Sequence, residues 1–523
     1  MVIRFLLCGL IGLFGFAFLW PLLSLGQEVS ARSFTQLFHL DPHTLQALAN
    51  TVGIGASVAL ISTVIGGIIA YTMTWTLAPG RKLLQWLYLA PLLAPSFMPA
   101  FGLIYLGGNY GILWQSNLYG YLGLILGGVI FTIPHTTLQL SLSLQRLAPN
   151  LIDASRLLGA NAWRRFYSIV LPHCKASIAN AFLIAFVLTI TDFGIPKLLG
   201  GNVPLLATEI YKYAIGLADF SEATILSLWL TIPSLIAFGI ALRFSQQNTN
   251  QAVTAPTLEK HTYRDWGLGC LAWGATLFSL SSIAIVVLAS FIEFWPYKLT
   301  LSFDAYRIGE HTQGWAPFWH SLFLGGFVAV LGTGLAFLGA LLCERYQTTL
   351  SRPIRFTYQI LAFLPMAIPG TVLGLGYAIG MQGFSIFHGV IDSFLLIICN
   401  TTFHLYTVGH LTLTQAIKEL NPHFENVGLL LQRSRLATTW NVIIPLLRKP
   451  LLETLGLLFS GALTAVSGLI FLYTPYNRTA AVSALLNLDS GYLAIGAAYA
   501  TLIFLMNLGV RALLLIWQNQ KTH

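Results

Sequence analysis

The sequence predicts an all-α polytopic membrane protein with 12 transmembrane helices, arranged as two parallel six-helix repeats. Three observations carry that expectation. Only 9% of the 523 residues are charged and 56% are hydrophobic, with a mean hydropathy of +0.74, whereas about a quarter of a soluble domain is charged. Apolar runs long enough to cross the bilayer recur along the whole length, and a backbone in hydrocarbon must satisfy its own hydrogen bonds, which selects helices. Finally, proline landmarks repeat. Pro91 and Pro95 return as Pro365 and Pro369 at an offset of 274, while Leu147-x-Pro149 and Pro172 return as Leu420-x-Pro422 and Pro445 at 273.

In chain order the expected spans are 3–25, 50–76, 83–105, 119–145, 176–198 and 222–244. The second half supplies 267–293, 320–343, 356–381, 389–412, 450–473 and 491–515. Six spans per half is an even number, so both halves share one orientation, unlike the inverted repeats common in secondary transporters. The expected division is a first half over 1–246, a polar cytoplasmic linker over 247–265 and a second half over 266–523. With both termini inside, all of the 27 Lys and Arg residues except Arg32, Lys197, Lys212, Lys298, Arg307 and Arg478 fall on the cytoplasmic side, as the positive-inside rule requires. The net charge of +9 therefore reports topology and calls for no nucleic-acid partner.

Residues 1–26 carry an apolar run longer than the h-region of a signal peptide, and a matching span opens the second half, so a retained helix is expected. The five cysteines lie in spans or near the cytoplasmic face, which predicts no disulfide and no metal site. The third spans, APLLAPSFMPAFG and LPMAIPGTVLGLG, cannot be regular helices throughout, because each proline deletes a backbone bond. Broken helices at membrane depth pack on protein or line a wet cavity, which marks Pro91, Pro95, Pro365 and Pro369 as candidate pathway residues. Packing by small residues is the competing reading. Asp192, Lys197 and His404 join the same list. Asp192 leaves the fifth span on the outer side, and an ionisable group at that depth is costly and usually faces the bundle interior. For His135, His404 and His410, local packing is the simpler reading.

Two polar interruptions, 147–172 and 420–445, stand apart from the apolar runs. In the first, Asn150 is a candidate cap with Asp153 three residues on, in a capping-box spacing. Gly159 is expected to stop that helix in a left-handed conformation. Asn161 can cap a second short helix carrying Trp163, Arg164, Arg165 and Phe166, with Pro172 just past its expected end. The second interruption is a worn copy. Asn426 stands for Asp153, Gln432 for Gly159 and Ser434 for Asn161, so the second cap survives while the glycine is lost.

The first interruption resembles the cytoplasmic "EAA" loop of ATP-binding-cassette (ABC) importer permeases, E-A-A-x-x-x-G followed by a proline thirteen residues after the glycine. It stands here as Asp153-Ala154-Ser155-x-x-x-Gly159, closed by Leu171-Pro172. The resemblance extends over nearly all of both halves, to a fused type I (MetI-like) importer permease. It implies an ATPase-coupling role for Asp153, Ala154, Gly159, Ala160, Trp163 and Arg164, and for Asn426, Gln432, Arg433 and Leu436. It also implies two copies of an ABC ATPase subunit, an extracytoplasmic solute-binding protein meeting the outer loops 27–49, 200–221 and 296–319, and a bacterial inner-membrane location. Segments such as Thr191–Lys197 (TDFGIPK), Leu206–Tyr211 (LATEIY) and Phe471–Pro475 (FLYTP) are similar to permeases for 2-aminoethylphosphonate, with ferric-iron and thiamine permeases sharing much of the pattern. A ferric pathway would favour several anionic oxygens, and Asp192 is nearly alone at membrane depth. The donors of Lys197 and of the Gly200–Asn202 turn suit a phosphonate better.

No G-x-x-x-x-G-K-[ST] occurs, so no P-loop cradles ATP in this chain and any ATP is used by partner subunits. No catalytic residues, cofactor or metal ligands are expected. A membrane enzyme would need a polar catalytic cluster, which is not visible. An ion-coupled secondary transporter is the more remote alternative.

Overall fold

The computed structural model describes residues 2–29, 41–109, 111–113, 115–245, 261–307, 314–346, 350–382 and 394–519. Most of the expected linker, and parts of the outer loops 27–49 and 296–319, lie outside these residues. The elements of the first half are α1 (Arg4–Glu28), α2 (Pro42–Trp75), the bent pair α3 (Arg81–Leu93) and α4 (Phe97–Gly107), α5 (Tyr121–Gln145), α6 (Pro149–Leu157) and α7 (Ala162–Thr191). Two short helices, α8 (Gly194–Leu199) and α9 (Leu206–Tyr211), precede α10 (Phe220–Ser245). Next come α11 (Thr262–Ala289) and a hairpin of β1 (Ile292–Phe294) and β2 (Lys298–Leu301). The remainder is α12 (Ala316–Arg345), the bent pair α13 (Arg352–Met366) and α14 (Gly370–Gly380), α15 (Phe394–Glu419), α16 (Phe424–Leu430), α17 (Arg435–Thr438), α18 (Arg448–Thr464), α19 (Ala480–Asp489) and α20 (Leu493–Asn519).

Among the described residues, nine helices are long and apolar enough to cross a membrane, or 11 spans if each bent pair counts as one. The span expected at 450–473 begins as α18, whose 17 residues give a rod of about 26 Å at 1.5 Å per residue. Ala465 is extended at its end, and a 3₁₀ turn, Leu469–Phe471, follows.

The bends fall where the prolines predict them, and they are much larger than a simple kink. α3 and α4 meet at 103°, α13 and α14 at 107°. Ala94, directly before Pro95, is extended (φ −90°, ψ 147°), because the proline ring pushes its predecessor out of the helical region. Neither leg alone matches the hydrocarbon thickness: α4 has 11 residues, about 16 Å.

The chain forms two compact units. One comprises Leu37–Lys212 and Leu226–Ala305; the other comprises Met1–Gln36, Tyr213–Ile225 and Tyr306–His523. Each sequence half thus lends its first span to the unit built mainly from the other half. In the first of these units α11 lies so close to α4 that a Cβ on Gly102 would sit 1.7 Å from the Ser282 carbonyl oxygen. In the second, α1 approaches α14 the same way, with the Pro21 carbonyl oxygen 2.4 Å from a Cβ on Gly376, the residue equivalent to Gly102. Ser24 Oγ donates to the Gly376 carbonyl at 3.0 Å, Tyr377 donates its hydroxyl to the Ala17 carbonyl, and Phe14 packs edge-on against Phe403 and Tyr406 at 5.0 and 4.7 Å. Close approach through small residues plus side-chain hydrogen bonds is how helices associate where lipid competes equally for apolar surface.

Asp41 caps α2, accepting from the Thr44 amide at 3.0 Å, and hydrogen bonding from Thr44 holds its carboxyl below the ordinary value. A carboxylate so depressed contributes stability above its unfolded pKa and loses it as pH falls through the folded one. Amide exchange in the first turn of α2 is therefore expected to speed up on acidification below about pH 4, and Asp41→Asn is expected to flatten that dependence.

Candidate functional site: two exposed loops with apolar crowns

Each loop is a short helix, a left-handed residue and a capped second helix. In the first loop Ala148 is the N-cap and Pro149 takes the first helical position. The expected cap at Asn150 is thus displaced by two residues. Proline's fixed φ and missing N–H suit the first position, which leaves Asn150 inside the helix. Asp153 makes no capping box with Asn150; it pairs with Arg156 Nη1 at 3.0 Å. Ile152 is buried with Trp75, Leu140, Leu144 and Leu147, and Trp75 Nε1 donates to the Leu144 carbonyl at 3.1 Å. These contacts seat the loop on α2 and α5.

Gly159 has φ +76°. Its amide donates to the Arg156 carbonyl at 2.8 Å and the Ala160 amide to Ser155 at 3.0 Å, which completes a Schellman motif. Asn161 accepts from the Arg164 amide at 2.8 Å, as expected of the second cap. The helix it opens does not end before Pro172. It passes through a π turn, Phe166–Val170, and continues to Thr191 as the fifth span. The π turn shifts the bonding register just ahead of the proline, which lacks a donor and would crowd the carbonyl four residues back.

The second loop keeps this design without the glycine. Gln432 takes the left-handed conformation itself, φ +56°, and the Arg433 amide donates to the Gly428 carbonyl at 2.9 Å. Ser434 caps α17 through the Ala437 amide at 3.2 Å, and a π turn, Thr439–Ile443, follows. A left-handed non-glycine residue costs about 1 kcal/mol. Gln432→Gly is therefore expected to slow amide exchange across 428–437 about fivefold.

This loop also has an anchor that the sequence did not reveal. Arg345, 6% exposed, pairs with Glu425 at 3.4 Å and donates to the carbonyls of Leu420 (3.1 Å) and Asn421 (3.3 Å). The partners are 80 positions apart in a chain with no local signal joining them. Arg345→Met strands a part-buried carboxylate at a cost of about 3 kcal/mol. Exchange across 420–433 is expected to accelerate while 148–160 keeps its wild-type rates.

Both crowns are apolar at matching positions. Leu157 (91% exposed), Leu158, Trp163 (70%) and Tyr167 in the first loop correspond to Leu430 (83%), Leu431, Leu436 (82%) and Trp440 in the second. Trp163 stacks on Tyr167 at 5.9 Å. Ala154, Arg164, Asn426 and Arg433 are also exposed, while Ala160 is half-buried. The paired leucines before each left-handed residue were not singled out from the sequence, although their recurrence at one offset was the available signal.

The other candidates do not gather at the loops. Pro91, Pro95, Pro365 and Pro369 lie at the bends. Asp192 accepts from the Ile195 amide at 2.8 Å, which caps the start of α8, and it lines a cavity of about 20 Å³ with Thr51, Thr189 and Pro196, room for one water. The Lys197 ammonium stands 5.5 Å from the Tyr211 ring centroid. His404 approaches the second bend, its Nε2 3.3 Å from a Cβ on Gly370, and its Nδ1 has no hydrogen-bond partner. His135 lies 3.3 Å from its own helix's Phe131 carbonyl, and His410 stacks on Tyr406; both are packing histidines. Among the described residues no group of three or more His, Cys, Asp or Glu could hold a metal ion.

Two repeats of membrane helices, each with an exposed, capped, apolar-crowned loop, define the membrane subunit of a transport system. The chain belongs to the family described as binding-protein-dependent transport system inner membrane component, matched twice, over 62–255 and 332–515. It is similar to the ferric transport system permease protein FbpB of Actinobacillus pleuropneumoniae, 24% identical over 90% of this chain and 70% of that one. It is also similar to the putative ferric transport system permease protein FbpB 1 of Haemophilus influenzae, 25% identical over 83% and 71% of the two chains. The thiamine transport system permease protein ThiP of Haemophilus influenzae is 24% identical over 65% of each.

Proposed function

We propose that this chain forms a two-half translocation path of an ABC importer. On this reading both loops dock separate ATPase subunits, one copy per loop, and both termini are cytoplasmic. The observation that carries it is the pair of matching apolar crowns, each raised on a capped turn, the first of them continuous with a membrane span. Aromatic and leucine side chains left in water at equivalent positions of two repeats are the anatomy of interface anchors. In the first loop, a push on Trp163 travels into the fifth span without a hinge, because α7 is continuous from Ala162 to Thr191. ATP-driven closure of the motor would then tilt these spans against the bent pairs and alternate the openings.

For the cargo, the ferric relatives that cover most of the chain support ferric iron over thiamine. The relatives named above are ferric and thiamine permeases, and none of them is named for a phosphonate. The phosphonate expectation retains one favourable observation, Lys197 beside the Gly200–Asn202 turn, with Gly201 at φ +54°. Calorimetry on the cognate binding protein decides between them. A heat of binding for ferric ion, with none for 2-aminoethylphosphonate or thiamine, supports the iron reading; binding of the phosphonate alone overturns it.

A further inference from the structure

The unit containing most of the first half carries an open-sided groove of about 960 Å³ between the C-terminal halves of α2 and α5, the start of α7 and the start of α11. Val64, Ile68, Leu144, Ile178 and Leu268 are among its walls, and Trp163 and Phe166 of the first loop bound it as well. All four helices are long and apolar enough to cross a membrane; Val64, Ile68, Ile178 and Leu268 lie well inside them, at hydrocarbon depth on this reading, while Trp163, Phe166 and His261–Arg264 stand at the groove's surface end. Close-packed interiors do not keep empty apolar space of this size. Water would sit there without hydrogen-bond partners, and a partner's peptide would bring unpaired backbone amides to lipid depth. We propose that the groove seats an acyl chain of a bilayer phospholipid, held between α7 and α11 and against Trp163 and Phe166. The polar start of α11, His261–Arg264, also lines it. Arg264 there is paired with Asp265 at 2.8 Å, so the seat selects the chain and not a headgroup charge.

A chain in this seat touches the base of the docking helix, so its loss would also loosen coupling. That consequence rests on the ATPase-docking reading; the seat itself does not. The test uses the full chain in vesicles containing a phosphatidylethanolamine with a diazirine at its acyl terminus, followed by ultraviolet cross-linking and peptide mapping. Adducts are expected to favour Thr63–Tyr71 and Ala162–Ile178 about tenfold over the exposed Ile232, Ile236 and Ile240 stripe of α10, a preference of about 1.4 kcal/mol over bulk lipid. Gly67 and Gly267 line the groove. A Cβ on Gly67 would meet only Leu140, at 3.6 Å, and one on Gly267 nothing within 4 Å. Gly67→Leu with Gly267→Leu should therefore narrow the groove from two of its walls, keep the wild-type melting temperature and bring adducts down to the α10 level. Even labelling around the belt, or labelling unchanged in the double variant, overturns the proposal. So does disulfide formation between a cysteine placed at Gly67 and one placed at Ala252 in the chain's own 246–260 segment.

Discussion

Trp163→Glu combined with Leu436→Glu is expected to abolish ATP-driven uptake while the protein still inserts, purifies and melts like the wild type. Both side chains are more than two-thirds exposed, and substitutions at such positions usually change stability by no more than about 0.5 kcal/mol. Buried in a partner's pocket, an aromatic or leucine anchor contributes about 2 kcal/mol or more. Losing the anchor of each loop, and placing a carboxylate in each pocket, weakens each of the two docking contacts by about 2 kcal/mol or more, roughly thirtyfold apiece. Co-purification of the ATPase from the native membrane checks the cause, and uptake checks the consequence. Gly159→Pro should act the same way through geometry, because proline's φ of about −65° cannot replace the +76° of Gly159. Wild-type uptake in the double variant would remove the crowns from the mechanism.

Gly102→Leu is expected to leave no monodisperse protein in detergent. The new Cβ would lie 1.7 Å from the Ser282 carbonyl oxygen and 2.8 Å from its Cα. Both atoms are backbone, so no rotamer relieves the clash and α11 must leave α4. Ordinary overpacking costs about 1–3 kcal/mol because side chains yield; here the displaced object is a whole span. Gly274→Leu on α11, with nothing within 4 Å of its Cβ, is the control and should behave as wild type in size-exclusion chromatography and melting. A monodisperse Gly102→Leu protein with an unchanged melting temperature would refute this account of the α4–α11 contact.

The features legible in the sequence are those written in local chemistry. Proline placed both bends, because a missing donor and a crowded predecessor act within a few residues. Asn161 and Ser434 cap the second helix of each loop because a short side-chain acceptor at that spacing has one favourable use. Gly159 announced its left-handed turn. What stayed hidden is tertiary or concerns competition between equally local signals. Pro149 outcompeted Asn150 for the start of α6. The π turns let a helix run through Pro172, which local rules treat as a stop. Gln432 holds a glycine's conformation in a loop braced by Arg345 and Glu425, two residues no window joins. The attachment of α1 and α11 to the opposite units is equally silent, since both are largely apolar and the close contacts that hold them, Gly376 on Pro21 and Gly102 on Ser282, join residues far apart in the chain. The short hairpin after Ala289 was not anticipated either, in a chain read as all helix.

The most direct test is uptake into sealed proteoliposomes carrying this chain, with its binding protein outside the vesicles and ATP within, assayed with and without the ATPase subunit. The account predicts cargo accumulation only when the ATPase is present, and none when Trp163 and Leu436 are both replaced by Glu. Accumulation at an undiminished rate by the chain alone, driven by an ion gradient, would contradict it.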